Sequence, residues 1–172
     1  RGFLTEDELR RMMTTRLRYK RQDYNRDMFL FSCFTGICYA DMSTLTYDQL
    51  EQDANGDWWI SGQRQKTETK YVVKLLPYPL FILDKYRGLA GNRYLFKLSS
   101  LDSIDDSLKN IARECGIDKQ LSFHLARHTY ATTICLSNGV SLETLSKMLG
   151  HKNITTTQIY AKVTHPMIDR EV

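Results

Sequence analysis

The sequence predicts a mainly helical α+β domain with one small, three-stranded antiparallel sheet in its first half. Three observations carry that expectation. Apolar residues recur at helical spacing along most of the chain. Between positions 46 and 76 the pattern changes to short β-rich runs separated by turn residues. Within those runs stands Asn55-Gly56, a dipeptide that favours the tight turn of a hairpin.

The elements follow in order. Thr5 and Glu8 form a capping-box pattern that opens a first helix, with Leu9, Met13 and Leu17 on one stripe. A second helix is expected from about Asn25 to Cys38, with Met28 to Phe31 and Phe34 as core. Thr35-Gly36 interrupts it, and a short helix follows through Ala40 to Leu45. Strands are expected at Thr46 to Gln52, Trp58 to Gln65 and Lys70 to Leu76, with Thr67 to Thr69 as the second turn. Pro77 and Pro79 end the sheet. Helices are then expected at about Leu80 to Tyr86, Ser103 to Cys115, His124 to Ser137, Ser141 to Leu149 and Thr156 to Lys162. Asn138-Gly139 suits a helix C-terminus and Ser141 the next N-cap.

The chain has 172 residues, which fits one domain able to bury about 70% of its unfolded surface. At 42% hydrophobic and 26% charged residues it reads as an ordinary globular sequence. No apolar run approaches the roughly 20 residues of a membrane span. Arg1 to Lys20 is charged throughout, unlike a signal peptide. A cytoplasmic location and no membrane contact are expected. Arg1 is not a natural start, so a trimmed fragment of a longer protein is expected. Cys33, Cys38, Cys115 and Cys135 form no CxxC pair and no zinc spacing, and read as reduced thiols. The net charge is only +4. However, Leu9 to Gln22 holds Arg10, Arg11, Arg16, Arg18, Lys20 and Arg21 with no acid. A phosphate-binding stripe and a solvated helix face fit that block equally.

Two segments could carry chemistry. In Ser122-Phe-His-Leu-Ala-Arg-His-Thr-Tyr-Ala-Thr132, His124 and Arg127 stand three apart and share a helix face. A fixed cation and an imidazole can then meet one phosphate, for which the planar guanidinium is well matched. Taken alone, an HxxR pair is a core histidine beside a surface arginine. In Leu149-Gly-His-Lys-Asn-Ile-Thr-Thr-Thr-Gln-Ile-Tyr160, Gly150 ends a helix and leaves His151 on a turn. Threonines are expected to cap a short helix that presents Tyr160. Taken alone, Tyr160 is a packed aromatic. A phenol with a pKa near 10 attacks only in a cationic, proton-accepting setting, which His124, Arg127 and His151 would supply.

HxxRH, then LGH, then a tyrosine nine residues on followed by Ala-Lys resembles the tyrosine recombinase (phage integrase) family. Thr35-Gly36-Ile37-Cys38-Tyr39-Ala40-Asp41 resembles that family's TGxRxxE box, and Gln65-Lys66-Thr67 its hairpin lysine motif. The resemblance implies the family's DNA breaking-rejoining catalytic-domain fold over residues 1–172, without the core-binding domain that usually precedes it. It implies site-specific cleavage and rejoining of double-stranded DNA by a recombinase tetramer of a phage or conjugative transposon, with possible accessory DNA-bending factors.

The implied roles are specific. Tyr160 attacks the scissile phosphate and is left joined to the 3′ phosphate. Arg127 and His124 hold its oxygens, His151 adds a hydrogen bond, and Lys66 protonates the leaving 5′ oxygen. Asp41 supports the site. The tyrosyl ester stores the broken bond, so neither ATP nor another cofactor is expected. Fixed cations carry the charge, so no metal is expected. In the family the C-terminal tail docks on a neighbouring subunit, for which Val163, Met167 and Ile168 are the apolar candidates.

One departure matters: the family's first arginine falls on Cys38. Loss of a phosphate-clamping arginine costs about 10³ to 10⁵ in rate in related phosphoryl transfers. Arg64 is the candidate to replace it, lying two residues before Lys66 on one strand and so on the same face, about 7 Å away; the alternative is that Arg64 only touches the DNA backbone or lies in solvent. The alternatives are a catalytically impaired DNA-binding relative, a type IB topoisomerase-like enzyme, and a helix-turn-helix regulator built on Ser141 to Tyr160. The last leaves Lys66 and HxxRH unexplained.

Overall fold

In the computed structural model, which describes residues 2–163, helix α2 (Lys20–Cys33) lies at the centre. Its run Met28-Phe29-Leu30-Phe31 is fully enclosed, so apolar side chains leave the helix in every direction. A helix that is apolar all round must be covered all round. Helices α4 (Pro77–Lys85), α5 (Leu101–Glu114) and α6 (Leu125–Thr129) pack against it. Helix α1 (Glu6–Thr14) is tied on through Arg26, which donates to the Met12 and Thr15 carbonyls. Asp27 is also buried there, and a buried carboxylate needs partners. Its Oδ2 accepts from Lys85 Nζ at 2.8 Å and from the Tyr86 hydroxyl at 2.5 Å. Burial opposes the Lys85 charge, yet its bonds to Asp27 and Asp23 hold its pKa above the usual lysine value.

The mainly helical α+β class and the three-stranded sheet are as the sequence predicts, and several boundaries are corrected. The Thr5–Glu8 capping box is present, but the fully buried methionine of α1 is Met12, while Met13 and Leu17 are partly buried. Helix α2 runs five residues earlier than expected and stops at Cys33, because Gly36 takes a left-handed φ of +75°. The short helix that follows, α3, is Tyr39–Met42. The first strand is shorter than expected: Thr46 and Gln49 close a capping box around one 3-10 turn, so β1 is only Leu50–Gln52. Strands β2 (Trp58–Gln63) and β3 (Lys70–Lys74) complete an antiparallel sheet in the order β1-β2-β3. Ile60 pairs with Leu50 and Val73, and Ile60, Tyr71 and Val73 form its buried side.

Pro77 does more than end the sheet: it opens α4, where its missing N–H costs nothing. The expected helix from His124 to Ser137 is in three pieces. Helix α6 gives way to a π-helical stretch, Tyr130–Cys135, and a 3-10 turn, Leu136–Asn138. The consecutive β-branched residues Thr132, Thr133 and Ile134 crowd a regular helix. The chain entering α1 grips this region from outside: Leu4 donates to Thr129 Oγ1 at 3.0 Å, and Thr133 Oγ1 donates to the Leu4 carbonyl at 2.5 Å. Helix α7 (Leu142–Leu149) is capped by Ser141 and ends at Gly150 with φ +70°. Helix α8 (Ile154–Thr157) follows Asn153, so the threonines expected as caps lie inside it. A 3-10 stretch, Gln158–Val163, carries Tyr160. Met167 and Ile168 lie outside the described residues.

All four cysteines are free, three of them buried and Cys38 half-buried. Among the described residues no helix is long and apolar enough to cross a membrane.

Gly36 lies between α2 and α3, against Tyr130 and the end of α7. A Cβ there would lie 2.4 Å from the Tyr130 ring and 3.1 Å from Leu149, on a backbone that side chains rarely adopt. Gly36→Ala is therefore expected to destabilise the domain by about 3 kcal/mol, read as a lower denaturant midpoint at unchanged slope.

Candidate active site

A cleft of about 350 Å³ opens between α3, the β2–β3 turn and the start of α6. Cys38, Asp41, Arg64, Lys66, His124 and Arg127 all line it. Two separate stretches of sequence thus bring their basic side chains to one opening, and a third brings Cys38 and Asp41.

Arg127 is the most buried of the basic side chains there, at 7% exposure. Its guanidinium donates to the Gly36 carbonyl at 2.7 Å and to the Leu149 carbonyl at 2.5 Å. The second acceptor is at the C-terminal end of α7, where helix carbonyls concentrate negative potential. Burial, with the Arg64 charge beside it, lowers the Arg127 pKa to about 10, so it stays charged at neutral pH. His124, three residues before Arg127, turns to the same cleft as expected. It is the residue before α6 and is exposed at the cleft mouth, while Arg127 is buried one turn later. Both still line the cleft. Asp105 of α5 holds this entry in place, its Oδ1 accepting the Phe123 N–H at 2.7 Å.

The β2–β3 turn is fixed by Asp41. Its Oδ1 accepts the Gln65 N–H at 3.0 Å, its Oδ2 accepts from Cys38 Sγ at 3.1 Å, and Arg64 Nε stands 3.6 Å from the same Oδ2. Gln65 Nε2 adds bonds to the Ala40 carbonyl and Thr44 Oγ1. The strand argument for Arg64 and Lys66 is corrected here. Strand β2 ends at Gln63, Arg64 is the first residue past it, and Lys66 lies in the turn. The two reach one cleft because Asp41 anchors the turn, and not through strand alternation. The aliphatic stem of Arg64 lies under Gly150, where a Cβ would come within 2.9 Å of it. Arg64 therefore reaches the α7 end as well as the Cys38 side.

His151 follows that glycine. Its Nδ1 is 2.6 Å from Thr157 Oγ1, and Thr157 is fully buried. Burial first, then the charges of Arg127 and Arg64, push its pKa down to about 4, so the ring is neutral at pH 7. Tyr160 is 6% exposed, and its hydroxyl lies 3.0 Å from His128 Nδ1. It is not among the side chains lining the cleft. His124, His128 and Tyr160 form a row, with ring centroids 4.8 Å and then 5.5 Å apart.

Sequence reasoning missed His128 and Tyr71. His128 stands four residues after His124 and directly after Arg127, a spacing that could have flagged it. Tyr71 is buried beneath the cleft against Gly62, and burial with the nearby Asp41 and Cys38 pushes its phenol pKa up. Only a structure reveals that role. Among the described residues no cluster of three or more His, Cys, Asp or Glu side chains is placed to hold a metal ion.

Known proteins share this architecture. The chain is 43% identical over 136 residues to tyrosine recombinase XerA of Saccharolobus solfataricus, a match covering 78% of this chain and 43% of that protein. The chain thus spans less than half the length of that relative. The crystal structure of XerH site-specific recombinase bound to palindromic difH substrate, a post-cleavage complex, has the same fold. It superposes with a TM-score of 0.79 at 18% identity, over 99% of this chain and 52% of that one. The catalytic domain of bacteriophage HP1 integrase matches with a TM-score of 0.63 at 22% identity, over 96% of this chain and 91% of that one. The family described as the phage integrase family matches residues 2–166, and this chain belongs to it.

Proposed function

We propose that these residues form the catalytic domain of a site-specific DNA recombinase that cuts and rejoins double-stranded DNA through Tyr160. The observation that carries this reading is the cleft itself, in which Arg64, Lys66, His124 and Arg127 converge. Such a set suits a phosphodiester whose negative charge grows in the transition state. Family membership and the likeness to a recombinase with cleaved DNA support the same conclusion. Duplex DNA is the partner, and strand exchange takes place in a tetramer, with DNA-bending factors as possible accessories, in the cytoplasm.

The reaction follows from the donors available. The Tyr160 oxygen forms a bond to phosphorus as the bond to the 5′ oxygen breaks, and Lys66 gives the leaving oxygen its proton. Arg127 and His124 take the non-bridging oxygens. With Thr157 donating to its Nδ1 across 2.6 Å, neutral His151 would carry its proton on Nε2 and could offer the phosphate a donor there. Arg64 supplies the cation lacking at Cys38. Asp41 holds it by an ion pair at 3.6 Å, and its charge acts on Arg127. That arrangement favours an active enzyme over an impaired DNA-binding relative.

Three outcomes are expected. In the full-length protein, Tyr160→Phe keeps DNA binding and yields no covalent adduct on a nicked duplex library with a randomised core. An undiminished adduct would remove Tyr160 as the nucleophile. Arg64→Ala lowers the cleavage rate about 10³-fold under saturating DNA, and adding Cys38→Arg restores part of it. A parent rate in Arg64→Ala would assign the charge to another residue. The third concerns pH. The His151 pKa falls on folding from about 6.5 to about 4, so the unfolded chain binds the extra proton between those values. The His151 contribution to stability is complete above pH 6.5 and is lost as pH falls towards 4. Denaturation series across that window should have a shallower slope against pH in His151→Asn than in the parent.

A further inference from the structure

His128 has no part in the mechanism above, yet it touches the reacting atom. Its Nδ1 lies 3.0 Å from the Tyr160 hydroxyl oxygen, within hydrogen-bond range. With the ring proton on Nε2, Nδ1 presents a lone pair and the tyrosine O–H donates to it. The contact is sheltered, since Tyr160 is 6% exposed and His128 half-buried. It is also built on the phosphate clamp: His128 follows Arg127 on α6, so one short helix fixes both.

A phenol cannot attack phosphorus and keep its proton. The other candidate acceptors are committed elsewhere. His124 and Lys66 face the cleft, where phosphate oxygens and the leaving oxygen need donors. His151 directs Nδ1 to Thr157. Arg127 is a permanent cation at neutral pH, close enough that a charged Tyr160 oxygen strengthens its hold on its proton. By the same reciprocity, the guanidinium favours the phenolate.

Resting on the recombinase reading, we infer that His128 is a further catalytic residue, which accepts the Tyr160 hydroxyl proton during cleavage and returns it during rejoining. In cleavage, the O–H bond of Tyr160 breaks and its proton passes to Nδ1. The freed oxygen pair forms the bond to phosphorus, the bond from phosphorus to the 5′ oxygen breaks, and that oxygen takes a proton from Lys66. Rejoining runs each transfer backwards, with the imidazolium of His128 protonating the departing tyrosine. The two ends of the displacement thus have separate proton carriers, His128 for the nucleophile and Lys66 for the leaving group.

That separation provides the test. The probe is a nicked duplex library with a randomised core, which traps the adduct. The sequence it enriches then serves for rate measurements with the full-length protein. Four changes are combined with it: His128→Gln, Lys66→Ala, difluorotyrosine in place of Tyr160, and a bridging sulfur in place of the 5′ oxygen. His128→Gln is expected to slow adduct formation about 10²-fold with DNA binding unchanged. Difluorotyrosine, a more acidic phenol, should restore most of that rate in His128→Gln and none of it in Lys66→Ala. The bridging sulfur, a leaving group that needs no proton, should rescue Lys66→Ala and leave His128→Gln slow. Should His128→Gln not fold, His128→Asn gives the same readings. A parent or faster rate in the His128 variants, or no rescue by difluorotyrosine, would overturn the proposal and leave His128 as a support for the Tyr160 ring. Absence of any adduct from the parent protein would overturn the recombinase reading itself, and this inference with it.

Discussion

The fold depends on one buried guanidinium. Arg127 joins the turn after α2 to the end of α7 by donating to one carbonyl in each, while its own backbone belongs to α6. No apolar side chain could make that junction, because two carbonyls would be left buried without donors. The same charge, held among apolar neighbours, keeps its strength for an anion arriving through the cleft. Structure and chemistry therefore draw on different N–H groups of one side chain. Gly36 has to be glycine partly for this reason, since its carbonyl is presented to Arg127 while Tyr130 fills the space a Cβ would need.

Asp41 has the complementary task. A cluster of cations repels itself, and Arg64 and Arg127 each feel the other. The carboxylate offsets part of that repulsion and spends its remaining acceptor capacity on the backbone of Gln65. The turn bearing Lys66 is thereby registered against α3, on a hairpin whose tip is also held by bonds within itself. Further back, Asp105 does the same for the approach to His124. Backbone groups next to Lys66 and His124 are thus tied down, while both side chains stay at the cleft.

Much of this was legible in the sequence, for identifiable reasons. The capping box at Thr5, the Ser141 cap and the glycine ends at Gly139 and Gly150 are local, so composition alone reveals them. The spacing of His124, Arg127, His151 and Tyr160 was readable because residue types at short separations define it. The start of α2 was missed because its first turns are polar, and the apolar pattern begins only at Met28. The π-helical stretch was missed because its cause, three β-branched residues packed against a distant segment, mixes local and tertiary effects. Arg64 was identified by the wrong geometry: alternation along a strand was assumed, whereas a tertiary anchor at Asp41 brings it to the cleft. The contact between His128 and Tyr160 spans 32 positions, and no periodicity reports it.

The meeting of Arg64 with Asp41 has a consequence for how such chains diverge. A cleft needs positive charge at a place in space, whereas inheritance acts on a place in the chain. Once an arginine at the hairpin can lean under Gly150 to the side of Cys38, position 38 is released to drift, and a thiol can settle there. Were Arg64 to supply that charge, Arg64 and Gly150 would form a pair in which neither can change alone. A signature keyed to an arginine at position 38 would overlook a positive charge supplied from the hairpin instead.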